Sequence, residues 1–332
     1  MAMLLALAGC SAGGGPPAGN TPGQASPAPP AEPGQAPALI GAPAGQVRPL
    51  PGGAPEGIAA DPASGLIAIA LRNPGRVALV DPATGQTRTL PMPGAARHLV
   101  IPRPGELLVP VESTGQLIEV ALPQGTVTAA VTVGRQPHDA VRVGDTVFVA
   151  NEFGRSVGVV RAQRMTRTLP GPTQPGGIAA AAGRVAVADV AGNRLYVYDA
   201  ATLQQVAVLP AGAGPSHVRP VGHGRVAVAD TRGNAVLVYD LRGQPRQVGR
   251  VPVPGRAYGL ATDPEHGRAF VTLPNTNQVV ALQVGDDGSV RTVGILGTVR
   301  QPNSVAYDPR SDTVLVAGAA NSELQTIAAS AL

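Results

Sequence analysis

The sequence predicts an all-β protein, a seven-bladed β-propeller with four-stranded antiparallel blades, and three observations carry this prediction. A short motif recurs seven times at intervals of 38 to 45 residues. Runs rich in Val and Ala alternate with turn signals, in a chain that holds 43 Gly and 35 Pro. Residues 46–332 number 287, which is seven units of 41. Regular repeats of about 40 residues with dense turns are typical of propeller blades.

The recurring motif begins with Pro or Ala, continues with two variable residues and ends with an aliphatic residue. Its instances start at residues 55, 96, 137, 175, 215, 257 and 302. The intervals between them are 41, 41, 38, 40, 42 and 45 residues. We expect each instance to open the first strand of a blade, which lines the central channel.

Each unit contains signals for three further strands. A turn such as residues 61–65 (DPASG) ends the first strand, and a second strand follows, as at residues 147–150 (VFVA). The third strand is exemplified by residues 195–199 (LYVYD), and a more polar fourth by residues 205–209 (QVAVL). A polar fourth strand fits the outer edge of a blade, which faces water.

The two ends of the repeat region predict how the ring closes. The last unit stops after its third strand, near residues 324–327, and a stray strand at residues 46–50 precedes the first unit. We expect this N-terminal strand to complete the last blade. Closure in this way removes a sheet edge without a disulfide, since Cys10 is the single cysteine.

The first ten residues resemble a bacterial lipoprotein signal. The apolar run MAMLLALAG precedes Cys10, and Leu7-Ala8-Gly9-Cys10 resembles a lipobox, in which the cysteine becomes lipidated after cleavage. A signal peptide normally has a basic start, which is missing here, so residues 1–10 are expected to be truncated at the N-terminus. The resemblance implies export and a lipid anchor in the bacterial cell membrane, on its extracytoplasmic side. The alternative is a short apolar tail with an incidental cysteine.

Residues 11–45 are predicted to be a disordered, semi-extended tether. They hold nine Pro and eight Gly, and Glu32 is their single charged residue. Such a composition buries too little apolar surface to offset the entropy of ordering. The propeller is therefore assigned to residues 46–332.

Two strings in the repeats make a family resemblance visible. VFVANEFGRSVGVV and AFVTLPNTNQVVALQV resemble the YVTN-repeat family, which is related to NHL-like and quinoprotein-type seven-bladed propellers. The resemblance extends over residues 46–332, although the Tyr-Val-Thr-Asn core is never intact. It implies the fold and places ligand sites at one mouth of the channel, but it does not specify an activity.

The repeat positions place two sets of candidate site residues at that mouth. The first set follows the start of the motif: Glu56, His98, His138, Asp139, His217, Tyr258 and Asn303. The second set follows the second strands and is expected to form an outer acidic ring: Glu112, Glu152, Asp189 and Asp230.

The candidates allow two interpretations. Three of the five histidines fall in the two variable positions of the motif, and imidazole and carboxylate groups suit a divalent metal or a general base. If a metal is bound, its ligands are expected among Glu56, His98, His138 and His217. Alternatively, the histidines are structural turn residues that hydrogen-bond the backbone of the next blade. Asp189 and Asp230 have a similar alternative, since Gly-Asn follows each of them in a turn.

Composition excludes several function classes. All 25 basic residues are Arg, which excludes Schiff-base and phosphate-loop lysines. The arginines are scattered and aromatic residues are 2% of the chain, so nucleic-acid binding is not expected. Haem, zinc-protease, nucleophile-elbow and dinucleotide motifs are absent from the sequence. No cofactor is predicted beyond a possible divalent metal.

The sequence therefore favours a non-catalytic binding scaffold in the cell envelope. Its partner would be an unidentified protein or small molecule at the channel mouth, and the chain is expected to be a monomer. The alternative function is a metal-assisted lyase or lactonase, an activity found in propellers with such groups at the mouth.

Overall fold

Seven four-stranded antiparallel sheets form a ring in the computed structural model, which describes residues 31–332. The innermost strands of consecutive sheets are neighbours around the whole ring, and the innermost strand of the seventh sheet lies beside that of the first. The predicted seven-bladed β-propeller is confirmed.

The blades follow one another along the chain. Blade 1 holds β2 to β5, at Pro55–Ala60, Ile67–Leu71, Arg76–Val80 and Thr87–Pro91. Blade 2 holds β6 to β9, at Val100–Arg103, Glu106–Val111, Gln116–Ala121 and Thr126–Thr132. Blade 3 holds β10 to β13, at Pro137–Val143, Thr146–Asn151, Ser156–Arg161 and Arg164–Leu169. Blade 4 holds β14 to β17, at Pro175–Ala181, Arg184–Asp189, Arg194–Asp199 and Gln205–Pro210.

The remaining blades keep the same order of strands. Blade 5 holds β18 to β21, at Pro215–Gly222, Arg225–Asp230, Ala235–Asp240 and Arg246–Pro252. Blade 6 holds β22 to β25, at Leu260–Asp263, Arg268–Leu273, Gln278–Val284 and Val290–Gly297. Blade 7 holds β26 to β28, at Pro302–Asp308, Thr313–Gly318 and Glu323–Ala328, together with β1, at Gln46–Pro49. Two single-turn 3₁₀ segments, Pro274–Thr276 and Ala329–Ala331, complete the regular structure of the described residues.

The hydrophobic core lies between the blades. Each cluster of buried side chains in the described part of the chain draws on two consecutive blades, and the clusters together follow the ring. Their members are mostly Val, Ala, Leu and Ile, and large aromatic side chains are few. Small aliphatic side chains suit closely stacked twisted sheets, so stability is built from contacts between neighbouring blades.

Strand β1 closes the ring as the sequence predicts. It pairs antiparallel with β28, so that Gln46 lies opposite Thr326 and Pro49 opposite Glu323. Leu50, which follows β1, is 8% exposed and belongs to the core between blades 7 and 1. The first and last described strands of the chain therefore share one sheet.

Pairing is irregular at the start of the innermost strands, where several candidate site residues lie. Five of these strands shift register just after their first residue, which is Pro in each of them. Glu56, His138, His217 and Asn303 lie within these shifts. A bulge re-aims a side chain that a regular strand would send to one face of the sheet.

Blades 2 and 6 depart from the predicted repeat. Their motifs begin with Ala, and their innermost strands begin only at Val100 and Leu260. Ala96 makes a single bridge to Val111 instead. His98 and Tyr258 therefore lie on irregular backbone at the mouth.

Residues 31–45 make specific contacts with the propeller, whereas the sequence places them in a disordered tether. Ala31 and Ala36 are 6% and 5% exposed, and Ala44 N donates to Gly297 O over 3.0 Å. The composition argument counts only apolar burial, and these contacts are mainly hydrogen bonds from blade side chains to the backbone of the segment. The lipobox, Cys10 and the rest of the tether lie outside the described residues. Within the described part of the chain, no helix has the length and hydropathy needed to cross a bilayer.

Candidate functional site

Three histidines, from blades 2, 3 and 5, meet at the mouth of the channel. His98 Nε2 lies 3.0 Å from His138 Nε2, and the rings of His98 and His217 are 4.6 Å apart between centroids. Tyr258 extends the row, with its ring 4.7 Å from that of His217. All four side chains are buried. Equivalence in the repeat predicts one rim, and the structure further brings these rings into contact.

Two glutamates flank His138. Its Nδ1 lies 3.1 Å from Glu152 Oε2 and 3.4 Å from Glu112 Oε1. Gln174 Nε2 donates to Glu152 Oε1 over 2.8 Å, which orients that carboxylate. Glu112 and Glu152 thus turn inward to the histidines and do not form an outer ring with the two aspartates.

The glutamates hold a proton on His138. Burial disfavours the imidazolium, but the carboxylates of Glu112 and Glu152 outweigh burial and raise the pKa of His138 to about 9. Burial also opposes the charge of Glu112, yet His138 and Arg97 lower its pKa to about 2. At neutral pH His138 therefore donates Nδ1–H to Glu152 and Nε2–H to His98, while Glu112 lies beside it as an ion-pair partner.

The other two histidines are neutral. Burial, and next the charge of His138, lower the pKa of His98 well below 6.5. Burial, and next the charge of Arg219, lower the pKa of His217 well below 6.5. His217 Nδ1 pairs with Ser216 Oγ at 3.0 Å. The ring contacts thus join one imidazolium and two neutral imidazoles.

Two arginines complete the charge network, and sequence reasoning missed both. Arg97 Nε lies 3.4 Å from Glu112 Oε1, and Arg72 Nη1 lies 3.0 Å from Glu112 Oε2. Burial opposes the charge of Arg97, but Tyr258 and Glu112 outweigh it and raise the pKa of Arg97. Arg97 occupies the second position of its motif, immediately before His98, so the repeat itself contained the signal.

Glu56 and Asn303 form a second polar pair at the mouth. Asn303 Nδ2 donates to Glu56 Oε1 over 3.2 Å, and Gln301 Nε2 donates to Asn303 Oδ1 over 2.9 Å. Burial raises the pKa of Glu56, despite the opposing charge of Arg97. Glu56 thus has a repeat position similar to that of the histidines, but its carboxylate accepts its hydrogen bond from the amide of Asn303.

Asp139 is not part of the histidine cluster. Its carboxylate accepts from Ile178 N over 3.3 Å and from Arg219 Nη1 over 2.8 Å, and it is fully buried. Consecutive residues of a strand point to different sides, so His138 faces the mouth while Asp139 links blades 3, 4 and 5.

Asp189 and Asp230 accept hydrogen bonds from turns. Asp189 Oδ1 accepts from Gln174 N over 2.8 Å, and Asp230 Oδ1 accepts from Gly214 N over 2.8 Å. Each also accepts from the glycine three residues later. The shorter Asp side chain satisfies adjacent backbone amides, whereas Glu112 and Glu152 reach the channel.

Among residues 31–332, one set of donor atoms is suited to a cation. Glu112, His138 and Glu152 each bring a donor atom to within 4.8 Å of the others, and all three residues are buried. Glu112 Oε1 is buried without a hydrogen bond. Of the metal ligands expected from the sequence, His138 alone belongs to this set.

Glutamines that precede the motif are a further group that sequence reasoning missed. Gln136, Gln174 and Gln301 each stand immediately before the Pro that opens a blade. Gln136 and Gln174 donate to Glu152, and Gln301 donates to Asn303. The recurrent Gln-Pro dipeptide was the signal that would have found them.

Solved structures similar to this chain share its fold. Virginiamycin B lyase from Staphylococcus aureus has 11% identity and a TM-score of 0.71, over 85% of this chain and 97% of that chain. Another solved structure holds a catalytically inactive variant of that lyase with quinupristin, at 12% identity and a TM-score of 0.70 over 85% of this chain and 97% of that chain. The RRP9 WD40 repeats have 15% identity and a TM-score of 0.75, over 89% of this chain and 99% of that chain.

These comparisons show the propeller fold alone, because the identities are low and propellers host unrelated functions. No protein-family model matches the chain, and no curated protein sequence matches it.

Proposed function

We propose that the chain is a monomeric lipoprotein of the cell envelope, anchored through Cys10, whose propeller binds a partner at the channel mouth without catalysing a reaction. The observation that carries this proposal is the set of partners that the polar side chains at the mouth already have. The nitrogens of His138 are protonated and paired, and Arg97 Nη1 lies 3.0 Å from both carboxylate oxygens of Glu32. The mouth thus already recognises a carboxylate.

A protonated His138 cannot accept a proton, so it is poorly suited to act as a general base at neutral pH. The neutral His98 and His217 are enclosed by other side chains. Charged groups held in place by a buried network instead provide specific recognition of an oppositely charged group.

Site-specific photo-crosslinking in the native envelope tests this proposal. A photoreactive residue at Phe153, which is 44% exposed on the loop after β11, reports on the mouth face. The same residue at Val206, which is 41% exposed on the outer strand β17, is the control. We expect one discrete crosslinked species from position 153, lost on Arg97→Ala, and none from position 206. Crosslinks from 206 alone, or from neither position, would refute the mouth as the binding surface.

The second candidate function is a metal-assisted lyase or lactonase, and the donor set Glu112, His138 and Glu152 favours it. The distances of 3.1 and 3.4 Å from His138 Nδ1 to the two carboxylates are close to the edge of a tetrahedron with bonds of about 2.1 Å. A bound divalent ion would supply Lewis acidity at the mouth. The three residues fit such an ion, in the position that the His138 proton now takes.

Calorimetric titration with zinc, manganese and magnesium tests the metal. Binding must release the His138 proton, whose pKa is about 9, so affinity should rise about tenfold per pH unit between pH 7 and 9. Glu152→Gln should abolish binding, and the exposed Asp145→Asn should leave it unchanged. Absence of saturable binding at pH 9 would eliminate this candidate.

A further inference from the structure

The chain's own residues 31–38 lie on the mouth face as an extended segment, from blade 2 to blades 6 and 7. Glu32 pairs with Arg97, and Glu32 O accepts from Arg256 Nη2 over 3.3 Å. Farther along, Pro37 O accepts from Asn277 Nδ2 over 3.1 Å and from Arg300 Nε over 3.2 Å. The segment therefore lies across residues of three blades.

Gln301 hydrogen-bonds the backbone of the segment in the way that a neighbouring β-strand would. Its Nε2 donates to Gly34 O over 2.8 Å, and its Oε1 accepts from Ala36 N over 2.8 Å. Amide groups that bind the carbonyl of one residue and the N–H two residues later recognise extended backbone rather than particular side chains. Four side chains of the mouth, one Gln, one Asn and two Arg, thus bind the main chain of the segment.

The mouth also selects side chains at three positions of the segment. Glu32 supplies a carboxylate to Arg97. Gly34 lies against two side chains that would have to move to admit a larger residue, since a Cβ there would lie 1.6 Å from Asn275 Oδ1 and 2.8 Å from Arg256 Cδ. Ala36 is 5% exposed. The accepted pattern is an acidic residue, then Gly two positions later and a small residue after two more.

The sequence contains the bound tetrapeptide twice. Residues 33–36 and residues 22–25 both read Pro-Gly-Gln-Ala. The residue before the tetrapeptide is Glu32 in the bound copy and Thr21 in the upstream copy. The upstream copy lacks the carboxylate, but it has the same Gly and Ala as the bound copy at the positions equivalent to Gly34 and Ala36. This pair supplies a matched test of the carboxylate.

We propose that the channel mouth is a peptide-binding surface, occupied in cis by residues 31–38, and that its partner is an extended Pro-Gly-containing peptide with one carboxylate in the place of Glu32. This proposal rests on the proposed binding function and adds the class of partner. A tethered segment competes at an effective concentration of about millimolar, so a partner binds when the segment is displaced.

The test uses the full chain with the cis segment disabled. Gly34→Val removes the fit of residues 33–36, and Gly23→Val prevents the second copy from replacing it. The control carries Gly19→Val and Gly41→Val, because a Cβ at Gly41 meets no atom within 4 Å. Hydrogen exchange at the Ala36 amide reads the docking of the segment. We expect protection in the wild type and the control, and its loss in the disabled chain.

Labelled peptides then measure binding in trans. A peptide of residues 31–38 should bind the disabled chain saturably and at least tenfold more tightly than it binds the control. Replacing its Glu by Thr, as in the second copy, should weaken binding at least tenfold, and adding Gln301→Ala to the disabled chain should do the same.

Three outcomes would overturn the proposal: no protection of Ala36 in the wild type, no peptide binding to the disabled chain, or equal binding to the control. Crosslinking at position 153 that persists while the peptide fails to bind would refute the peptide class and leave the mouth as the binding surface. Absence of both the crosslink at position 153 and peptide binding would refute the proposed function as well.

Discussion

At the scale of single residues, the charge states of the groups at the mouth depend on one proton, that of His138. His138 is positively charged because two carboxylates surround it, and His98 stays neutral because His138 is charged. Removing one member of such a buried network leaves its partners uncompensated, which typically costs about 3–5 kcal/mol. The histidines are therefore structural as well as functional candidates.

The pH dependence of stability follows from His138. Its pKa is 6.5 in the unfolded chain and about 9 in the folded chain, so its contribution is complete below about pH 6.5 and is lost as the pH rises through 9. The contribution is about 3 kcal/mol, the free energy equivalent to that change in pKa. Denaturant unfolding of the wild type should show a fall of this order between pH 6.5 and 10.

His138→Gln should remove this alkaline slope, and His223→Gln should keep it, because His223 is exposed on the opposite face. Below pH 6.5, His98 and His217 act in the other direction, since the unfolded chain takes up protons that the folded chain excludes. Wild-type stability that is flat from pH 6.5 to 10 would contradict the charged state of His138.

At the scale of elements, sequence reasoning predicted the blades well because each blade repeats the same alternation of buried and turn residues. Strands such as Arg184–Asp189 and Arg225–Asp230 carry the same string, RVAVAD, so one blade predicts the next. The late starts at Val100 and Leu260 were not predictable, because they depend on local pairing at two motifs that lack Pro.

The candidate site was predicted in position but not in geometry. Repeat spacing identifies equivalent residues, and it groups His98 with His138 and His217, whose rings lie in contact. It carries no information on which of two adjacent side chains faces the mouth, so it placed Asp139 with His138. It also could not find residues 31–38, whose contacts are made by backbone atoms that composition does not report.

Ring closure by β1 makes a prediction for this element. Deleting residues 46–50 removes the strand that pairs with β28 and also the buried Leu50. Loss of a buried Leu alone costs about 2 kcal/mol or more, so the melting temperature of a domain of this size should fall by roughly 3 °C or more. The exposed edge should also promote aggregation.

Deleting residues 11–15 removes the same length of chain upstream and serves as the control. Calorimetric melting of both variants beside the wild type decides the matter. Equal melting temperatures for the two deletions would show that β1 contributes nothing to closure.

At the scale of the whole molecule, a ring of small aliphatic cores supports one polar mouth. Stability is distributed over seven interfaces between blades, while the charged groups described above gather on one end of the channel. Most of the apolar burial thus lies between the blades, while the buried charges that also support the fold lie at the mouth.

The proposed anchor gives a prediction for the molecule in its cell. Cys10→Ser should abolish labelling by fatty acids and release the protein from the membrane, because a thioether-linked lipid requires the thiol. Ser11→Ala is the matched control and should leave both properties unchanged. Membrane fractionation after metabolic labelling measures them together. A Cys10→Ser protein that stays with the membrane, beside an unlabelled wild type, would refute the anchor.

The pairing of β1 with β28 also fixes an order of events during synthesis. Gln46 leaves the ribosome long before Thr326, its partner in the sheet. At about 5–20 residues per second, β1 waits roughly a quarter of a minute to one minute before β28 exists. The residues of blades 1 to 6 are synthesised during this interval, whereas blade 7 is assembled only after β28 has been made. A ribosome that stops before β28 thus releases an open ring, and the closed circle marks a chain that was translated through this strand.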